Sequence, residues 1–314
     1  MVTLKDVAKR ANVSKMTVSR VLNHPQLVTP ELKELVYQAM NELDYRPNTI
    51  AKALAKNRTL VVKVLILEEM DVTEPYYMHL INGIAKGLDH YHYALQLITE
   101  NSVDFGESDG YIVTGMKEDD YEWVKKIDKP VIVFGENRYH MPFVDSNNRL
   151  GTETATRYAI ERGYQDIIFV GIDVPELFEE SREIGYKSVM EQYPDKSVQI
   201  HRIRNSSSQA ANLVKSLSLK ENTCFICASD RIAIGIERGL QTMGKSIPED
   251  FGIIGFDGVF LDQIAAPMLT TMKQQVVAMG SACVDQLMLL IDGKELEEEA
   301  YYFDAKLLVR GTTK

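Results

Sequence analysis

Ser14–Leu22 reads SKMTVSRVL. Val18, Val21 and Leu22 fall at helical spacing and make one apolar face. The other face carries Ser14, Lys15, Met16, Thr17 and Arg20, a mixture of small hydroxyls, one thioether and two cations. A helix face that meets only water more often carries Glu, Lys and Gln. This one has the composition of a surface that touches something.

The flanking residues say what kind of unit presents it. Thr3 precedes LKDVAKRA, and Asp6 stands where a capping-box-like start needs a carboxylate. Leu4, Val7, Ala8 and Ala11 give that helix an apolar stripe. Asn12-Val13-Ser14 then turns the chain, with Ser14 as the next cap. A third helix is predicted from Thr29-Pro30, its stripe running through Leu32, Leu35, Val36, Ala39, Met40 and Leu43, and its end set by Pro47. Two short helices joined by a tight turn and braced by a third describe a helix-turn-helix. In that motif the second helix enters the DNA major groove, and residues of its first turn reach base edges. Lys15, Met16 and Thr17 occupy that turn, with Arg20 one turn on. Thr and Met offer apolar contact to thymine methyls, and Lys donates to guanine or to a phosphate.

TLKDVAKRANVSKMTVSRVLN, AMNELDYRPN and AKALA, in this order, resemble the start of the lactose-repressor (LacI/GalR) family of bacterial transcription regulators. The resemblance is dense over residues 3–58 and scattered to the C-terminus. It implies that Thr3, Ser14, Lys15, Met16, Thr17, Ser19, Arg20 and Asn23 bind double-stranded, pseudopalindromic operator DNA. It also implies a short hinge helix, with Asn48 at its start and Ala51 letting two hinge helices approach. Leu54 would wedge between base pairs in the minor groove.

Charge agrees with this division. Residues 1–58 hold ten Lys and Arg against five Asp and Glu, whereas the remainder holds 25 against 40. A basic head on an acidic body points to a polyanionic partner for the head alone. No apolar run approaches the roughly 18–20 residues of a membrane span, and the N-terminus has no signal-peptide core, so a cytoplasmic protein is expected. Cys224 and Cys227 form a C-x-x-C within a strand-like run, which turns the two thiols to opposite faces and reads as core packing.

Beyond residue 60 the pattern alternates. Apolar strands such as LVVKVLIL, GYIVTG, PVIVFGE, DIIFVGI, TCFICAS and FGIIGF are separated by helical stretches near 76–90, 179–192, 207–217 and 231–243. Such alternation argues for doubly wound parallel sheets, and the length argues for two. The family's core resembles periplasmic sugar-binding proteins, two lobes crossed several times by the chain. The division is then a helix-turn-helix domain at 1–46, a hinge helix and linker at 47–59, and a core at 60–314. Lobe one covers about 60–144 and 273–303 and lobe two about 145–272 and 304–314, with crossings near Val144, Met272 and Phe303. Between two strands of lobe one only Asn101–Ser108 remain, too few for a helical crossover.

The resemblance also implies where a ligand sits. Arg182 in ESREIGY and Asp257 in IIGFDG match family positions, offering fixed donors and a carboxylate acceptor. An ion pair or a helix cap would use the same residue types. Phe143, Asp145 and Gln274 fall at lobe crossings, Ser229-Asp230 stands where many members read Asn-Asp, and Tyr76 and Tyr77 either stack on a sugar ring or pack the lobe. The expected function is a dimeric repressor of carbohydrate uptake or catabolism genes, controlled by a sugar or sugar phosphate between the lobes. A phosphorylated carrier protein or a purine is the alternative controller. No catalytic motif, metal-ligand set or cofactor motif is present.

Overall fold

The structure, a computed structural model, describes residues 2–23, 27–45, 58–68, 75–99 and 106–314. The chain forms two compact units, Met1–Thr59 and Leu60–Lys314.

Among its described residues the first unit forms α1 (Leu4–Arg10), α2 (Lys15–Asn23) and α3 (Pro30–Glu42). The Thr3 amide donates to Asp6 Oδ2 at 2.9 Å and the Thr17 amide to Ser14 Oγ at 2.9 Å, so both helix starts are capped. Val7, Ala8, Ala11, Val18, Val21, Val36 and Ala39 form one buried core. Leu35, expected on the buried stripe, is 49% exposed: Val36 and Ala39 point inward, and the residue before Val36 lies about 100° round the helix. α3 also stops earlier than the proline implies. Asp44 takes a left-handed φ of 47° and the Tyr45 amide bonds Met40 O at 2.8 Å. Pro47, Asn48, Ala51 and Leu54 lie outside the described residues, as does the side chain of Asn23.

The second unit holds two six-stranded sheets. In the first, β1 (Val61–Ile66), β2 (Ala94–Thr99), β3 (Gly110–Thr114), β4 (Val131–Phe134), β5 (Phe143–Ser146) and β11 (Ala300–Phe303) run parallel in the order β11-β5-β4-β3-β1-β2. In the second, β6 (Asp166–Ile172), β7 (Gln199–Ile203), β8 (Thr223–Cys227), β9 (Phe251–Asp257), β10 (Thr270–Lys273) and β12 (Lys306–Leu308) follow the order β12-β10-β9-β8-β6-β7. Only β12 pairs antiparallel. The helices are α4 (Tyr76–Tyr91), α5 (Asp120–Val124), α6 (Asn148–Glu161), α7 (Leu177–Met190), α8 (Ser207–Ser216), α9 (Asp230–Thr242), α10 (Leu261–Ile264) and α11 (Val276–Ile291). Among the described residues no helix is long and apolar enough to cross a membrane.

α11 packs on the first sheet and against α4, its Val276, Met279, Cys283, Val284 and Leu287 joining Val62, Val64 and Ile84 in one core. Glycines bring the two helices together: a Cβ on Gly83 would sit 2.2 Å from Val277 O. Gly83→Ala is expected to push α4 from α11 at a cost of about 1–3 kcal/mol, seen as a lower urea midpoint at constant m-value. An unchanged midpoint would mean that the helices adjust freely. In β1 the apolar run is interrupted by Lys63, which is 1% exposed. Its Nζ donates to Gly106 O at 2.7 Å beneath the short β2–β3 link. The described part of that link, residues 106–109, contains no helix.

The lobe boundaries shift slightly from those expected. Asp145 and Ser146 still pair with Tyr302 and Phe303, so the chain leaves the first sheet at Asn147 rather than Val144. Lys273 still pairs with Asp257 and Lys306, so the second crossing is Gln274-Gln275 rather than Met272. The third lies between Phe303 and Lys306. The three crossings are tied together: Ser146 Oγ donates to Gln274 Oε1 at 2.7 Å, Asn147 Nδ2 to Asp304 Oδ1 at 3.1 Å and Gln275 Nε2 to Asp304 O at 3.1 Å.

Candidate functional site

In the first unit, α2 turns Val18 and Val21 into the core and leaves its opposite face open. Lys15, Met16 and Arg20 are exposed, Met16 by 68%, while Thr17 and Ser19 are half-buried. Arg20 Nη2 lies 3.9 Å from Met16 Sδ, one helical turn back. Thr3 is exposed, with its hydroxyl on Asp6 Oδ2 at 2.7 Å.

In the second unit a cavity of about 400 Å³ lies between the C-terminal ends of the two sets of strands, the place where open α/β sheets bind ligands. Tyr76, Tyr77, Asp145, Arg182, Ser229, Asp257 and Gln274 all line it. Arg182, 5% exposed, is clamped: Nε donates to Asn148 Oδ1 at 2.9 Å and Nη1 to Ala228 O at 2.6 Å. Its guanidinium lies 3.9 Å from the Phe256 ring centroid and 5.0 Å from that of Phe178. Gln274 joins the lobes, accepting from Tyr76 Oη at 3.3 Å and donating to Asp257 Oδ1 at 2.7 Å. Asp257 holds a φ of 127°, a backbone conformation unusual for a residue with a Cβ. Tyr77 Oη donates to Glu68 Oε1.

Two expected residues do not line the cavity. Phe143 lies one pleat back from Asp145 on β5, edge-on to Tyr302 at 5.3 Å between centroids, so it packs behind the site. Asp230, 1% exposed, accepts from Thr271 Oγ1 at 2.6 Å and from the Gly258 amide at 2.8 Å. It fastens the turn beside Asp257 instead of facing a ligand. Ser229 lines the cavity but spends its hydroxyl on Asn205 Oδ1, 2.7 Å away, and thereby positions an amide side chain there.

Other lining residues were not read from the sequence, although a rule would have found several. Glu68, Met116, Glu136, Val174 and Asn205 each stand two residues past the end of a strand, as Ser229 does. Glu136 and Glu176 carry a buried carboxylate oxygen, Oε1 and Oε2 respectively, with no hydrogen-bond partner among the described residues. Burial pushes Glu136 up to about 7, with Asp145 adding to the rise and the Ser181 and Tyr302 hydroxyls opposing it. Asp145 is itself raised by burial, against the amides of Glu136 and Ser146 and the charge of Arg182. Five carboxylates (Glu68, Glu136, Asp145, Glu176, Asp257) thus face two cations, Lys117 and Arg182. Among the described residues no group of three or more His, Cys, Asp or Glu is placed to hold a metal ion.

Glu179, one turn before Arg182, is buried outside the cavity, and burial pushes it up to about 7 against the opposing pull of the Arg182 charge and the Ile172 backbone. Its stabilising neutral form is present in the fold below the ordinary value of 4.5 and is lost as pH rises through about 7. Glu179→Gln is therefore expected to match wild type in thermal midpoint at pH 5 and to exceed it by a few degrees, roughly, at pH 8. Equal midpoints at both pH values would contradict a raised Glu179.

Comparison with known proteins agrees with both units. The model "Bacterial regulatory proteins, lacI family" matches residues 3–48, and "Periplasmic binding protein-like domain" matches residues 156–313. The "Uncharacterized HTH-type transcriptional regulator YvdE" of Bacillus subtilis (strain 168) is 51% identical over 316 residues, covering 100% of both chains. The ribose operon repressor of Halalkalibacterium halodurans is 30% identical over 330 residues, covering 100% of this chain and 98% of its own. In fold, the chain resembles the solved complex of the transcriptional regulator CelR with cellobiose, with a TM-score of 0.72, 23% identity, and coverage of 99% and 100%. Similar over its whole length to such regulators, and carrying their head and core in the same order, the chain belongs to the lacI family of bacterial regulatory proteins.

Proposed function

We propose that this transcriptional regulator represses carbohydrate uptake or catabolism genes in the cytoplasm, as a homodimer whose operator affinity is set by a neutral sugar bound between the core lobes. The observation that carries the sugar reading is the lining of the cleft. Tyr76, Tyr77 and Phe178 offer apolar ring surface, and Glu136 and Glu176 each offer a carboxylate oxygen in need of a donor. Sugar hydroxyls supply such donors, and the Asn205 amide and Arg182 supply donors in return. A phosphate would meet five carboxylates with two cations. An anionic phosphorylated carrier would meet a body holding 40 acidic against 25 basic residues.

In the head, Met16 and Thr17 meet base edges, Lys15 and Arg20 reach base edges or neighbouring phosphates, and Thr3, Ser14, Ser19 and Asn23 hold the backbone. Asn48, Ala51 and Leu54 form the hinge contact at the operator centre. The effector's difference in affinity between two lobe arrangements is the free energy available to change operator affinity. The hydrogen-bonded crossings give the lobes a shared joint for that motion.

The test is a thermal-shift screen of the full chain against neutral sugars, sugar phosphates, hypoxanthine and guanine, followed by operator titration with any hit. A neutral sugar at 1,000 times its Kd adds about 4 kcal/mol, a shift on the order of 10 °C, and it should alter operator affinity. A shift only with phosphorylated compounds or purines would overturn the reading.

A further inference from the structure

The cavity extends well beyond the residues that match family positions. Along the first sheet its lining follows neighbouring strand ends in the spatial order β5, β4, β3, β1, from Asp145 through Glu136 and Met116 to Glu68. Three inter-strand steps of about 4.8 Å separate its ends by roughly 14 Å. Arg182 and Gln274 lie at the β5 end, bonded to Asn148 and Ser146.

The β1 end has a lining of its own. Tyr77 bonds Glu68, and Gly115 packs so closely that a Cβ on it would sit 2.6 Å from Glu68 Cγ. Met116 and Tyr121 share a small apolar cluster, and Tyr121 is stacked on Tyr139 with centroids 3.9 Å apart, which fixes its ring. Glu176 reaches in from the second lobe, within electrostatic range of Glu68 and Arg138, and its buried Oε2 has no hydrogen-bond partner among the described residues. Lys117 also borders this end.

We infer that the β1 end is a second sugar subsite, so that the effector is a neutral disaccharide or longer oligosaccharide. One ring occupies the Arg182–Asp257 end; the next lies against Tyr121 and Met116 and donates a hydroxyl to Glu176. This rests on the neutral-sugar reading above. Glu136 follows β4, beside the β5 end, whereas Glu176 comes from the second lobe within range of Glu68 past β1, so a second ring joined by a glycosidic bond offers Glu176 Oε2 the donor that it lacks among the described residues. The acidic pair Glu68 and Glu176 disfavours a phosphorylated second group.

The test is isothermal titration of the full chain with matched sugars: glucose against maltose and cellobiose, and galactose against lactose. For the best-binding disaccharide, affinity should exceed that of its monosaccharide by about tenfold or more, as a ring contact plus a hydrogen bond to a charged group implies. Tyr121→Ala should collapse that ratio while leaving ligand-free operator affinity at the wild-type value, which also reports an intact fold. Glu176→Gln, which spares the Tyr121–Tyr139 stack, should lower the ratio independently. A monosaccharide binding as tightly as its disaccharide, or a ratio unmoved in both variants, overturns the second subsite and leaves the neutral-sugar reading standing. No binding by any of these sugars overturns both.

Discussion

Raising the salt concentration from about 50 to about 200 mM should weaken the operator complex by roughly 10³-fold or more. The cause lies in residues 1–58, with ten basic against five acidic residues. Each phosphate neutralised by a Lys or Arg releases condensed counterions, and the affinity falls with a log–log slope of about −0.9 per phosphate. Lys15 and Arg20 stand exposed on α2 to make such contacts. Arg10 is less available, because its Nη2 pairs with Glu42. Effector affinity of the core should change far less over the same range, since a neutral ligand brings no counterions. Anisotropy titrations of labelled operator at several salt concentrations measure the slope. A slope near zero would remove groove docking by the head, whatever the core binds.

Arg182→Ala should weaken sugar binding by roughly 100-fold or more, the size expected when a buried charged donor loses its hydrogen bonds. Two of its nitrogens are committed to Asn148 and Ala228, and its guanidinium lies against the rings of Phe256 and Phe178, so the remaining donors are presented at low entropic cost. Removing the guanidinium also takes away the charge that eases ionisation of Asp145. Arg182→Lys should not rescue, because an ammonium cannot reproduce a planar fork bonded on two sides. Operator binding by the ligand-free variant should persist, with its response to sugar abolished. A wild-type sugar response in Arg182→Ala would exclude Arg182 from the effector site.

Much of the fold was legible because its signals are local. Caps at Thr3 and Ser14, proline at Pro30 and helical spacing in α1 and α2 each involve residues within a turn of one another. The apolar runs that became β3, β4, β6, β8 and β9 are legible for the same reason. α11 was not, since VVAMGSACVDQLMLLI is apolar nearly all round and shows no amphipathic period. Its burial between the first sheet and α4 is what makes it a helix of the core.

The site was legible only in part. Arg182, Asp257 and Gln274 could be placed because the resemblance marks them, but Phe143 and Asp230 carry the same mark and stand outside the lining. Phe143 and Asp145 share one face of β5, so position along the strand, and not side-chain direction, decides which of them reaches the cleft. One pleat separates Asp145, in the lining, from Phe143 behind it.

The sequence by itself determined a basic three-helix head, an acidic body of alternating strands and helices, and membership of a regulator family. Those follow from pattern, composition and motif order, which exist along one dimension. Only the tertiary structure decided what the cleft is. Glu68, Tyr121, Glu136, Glu176 and Asn205 come from five separate loops and helices of two lobes, and no periodicity links them. They meet because the strand order of each sheet and three interlocked crossings bring those ends together. The acidity and length of the cleft therefore belong to the fold, not to any stretch of the chain.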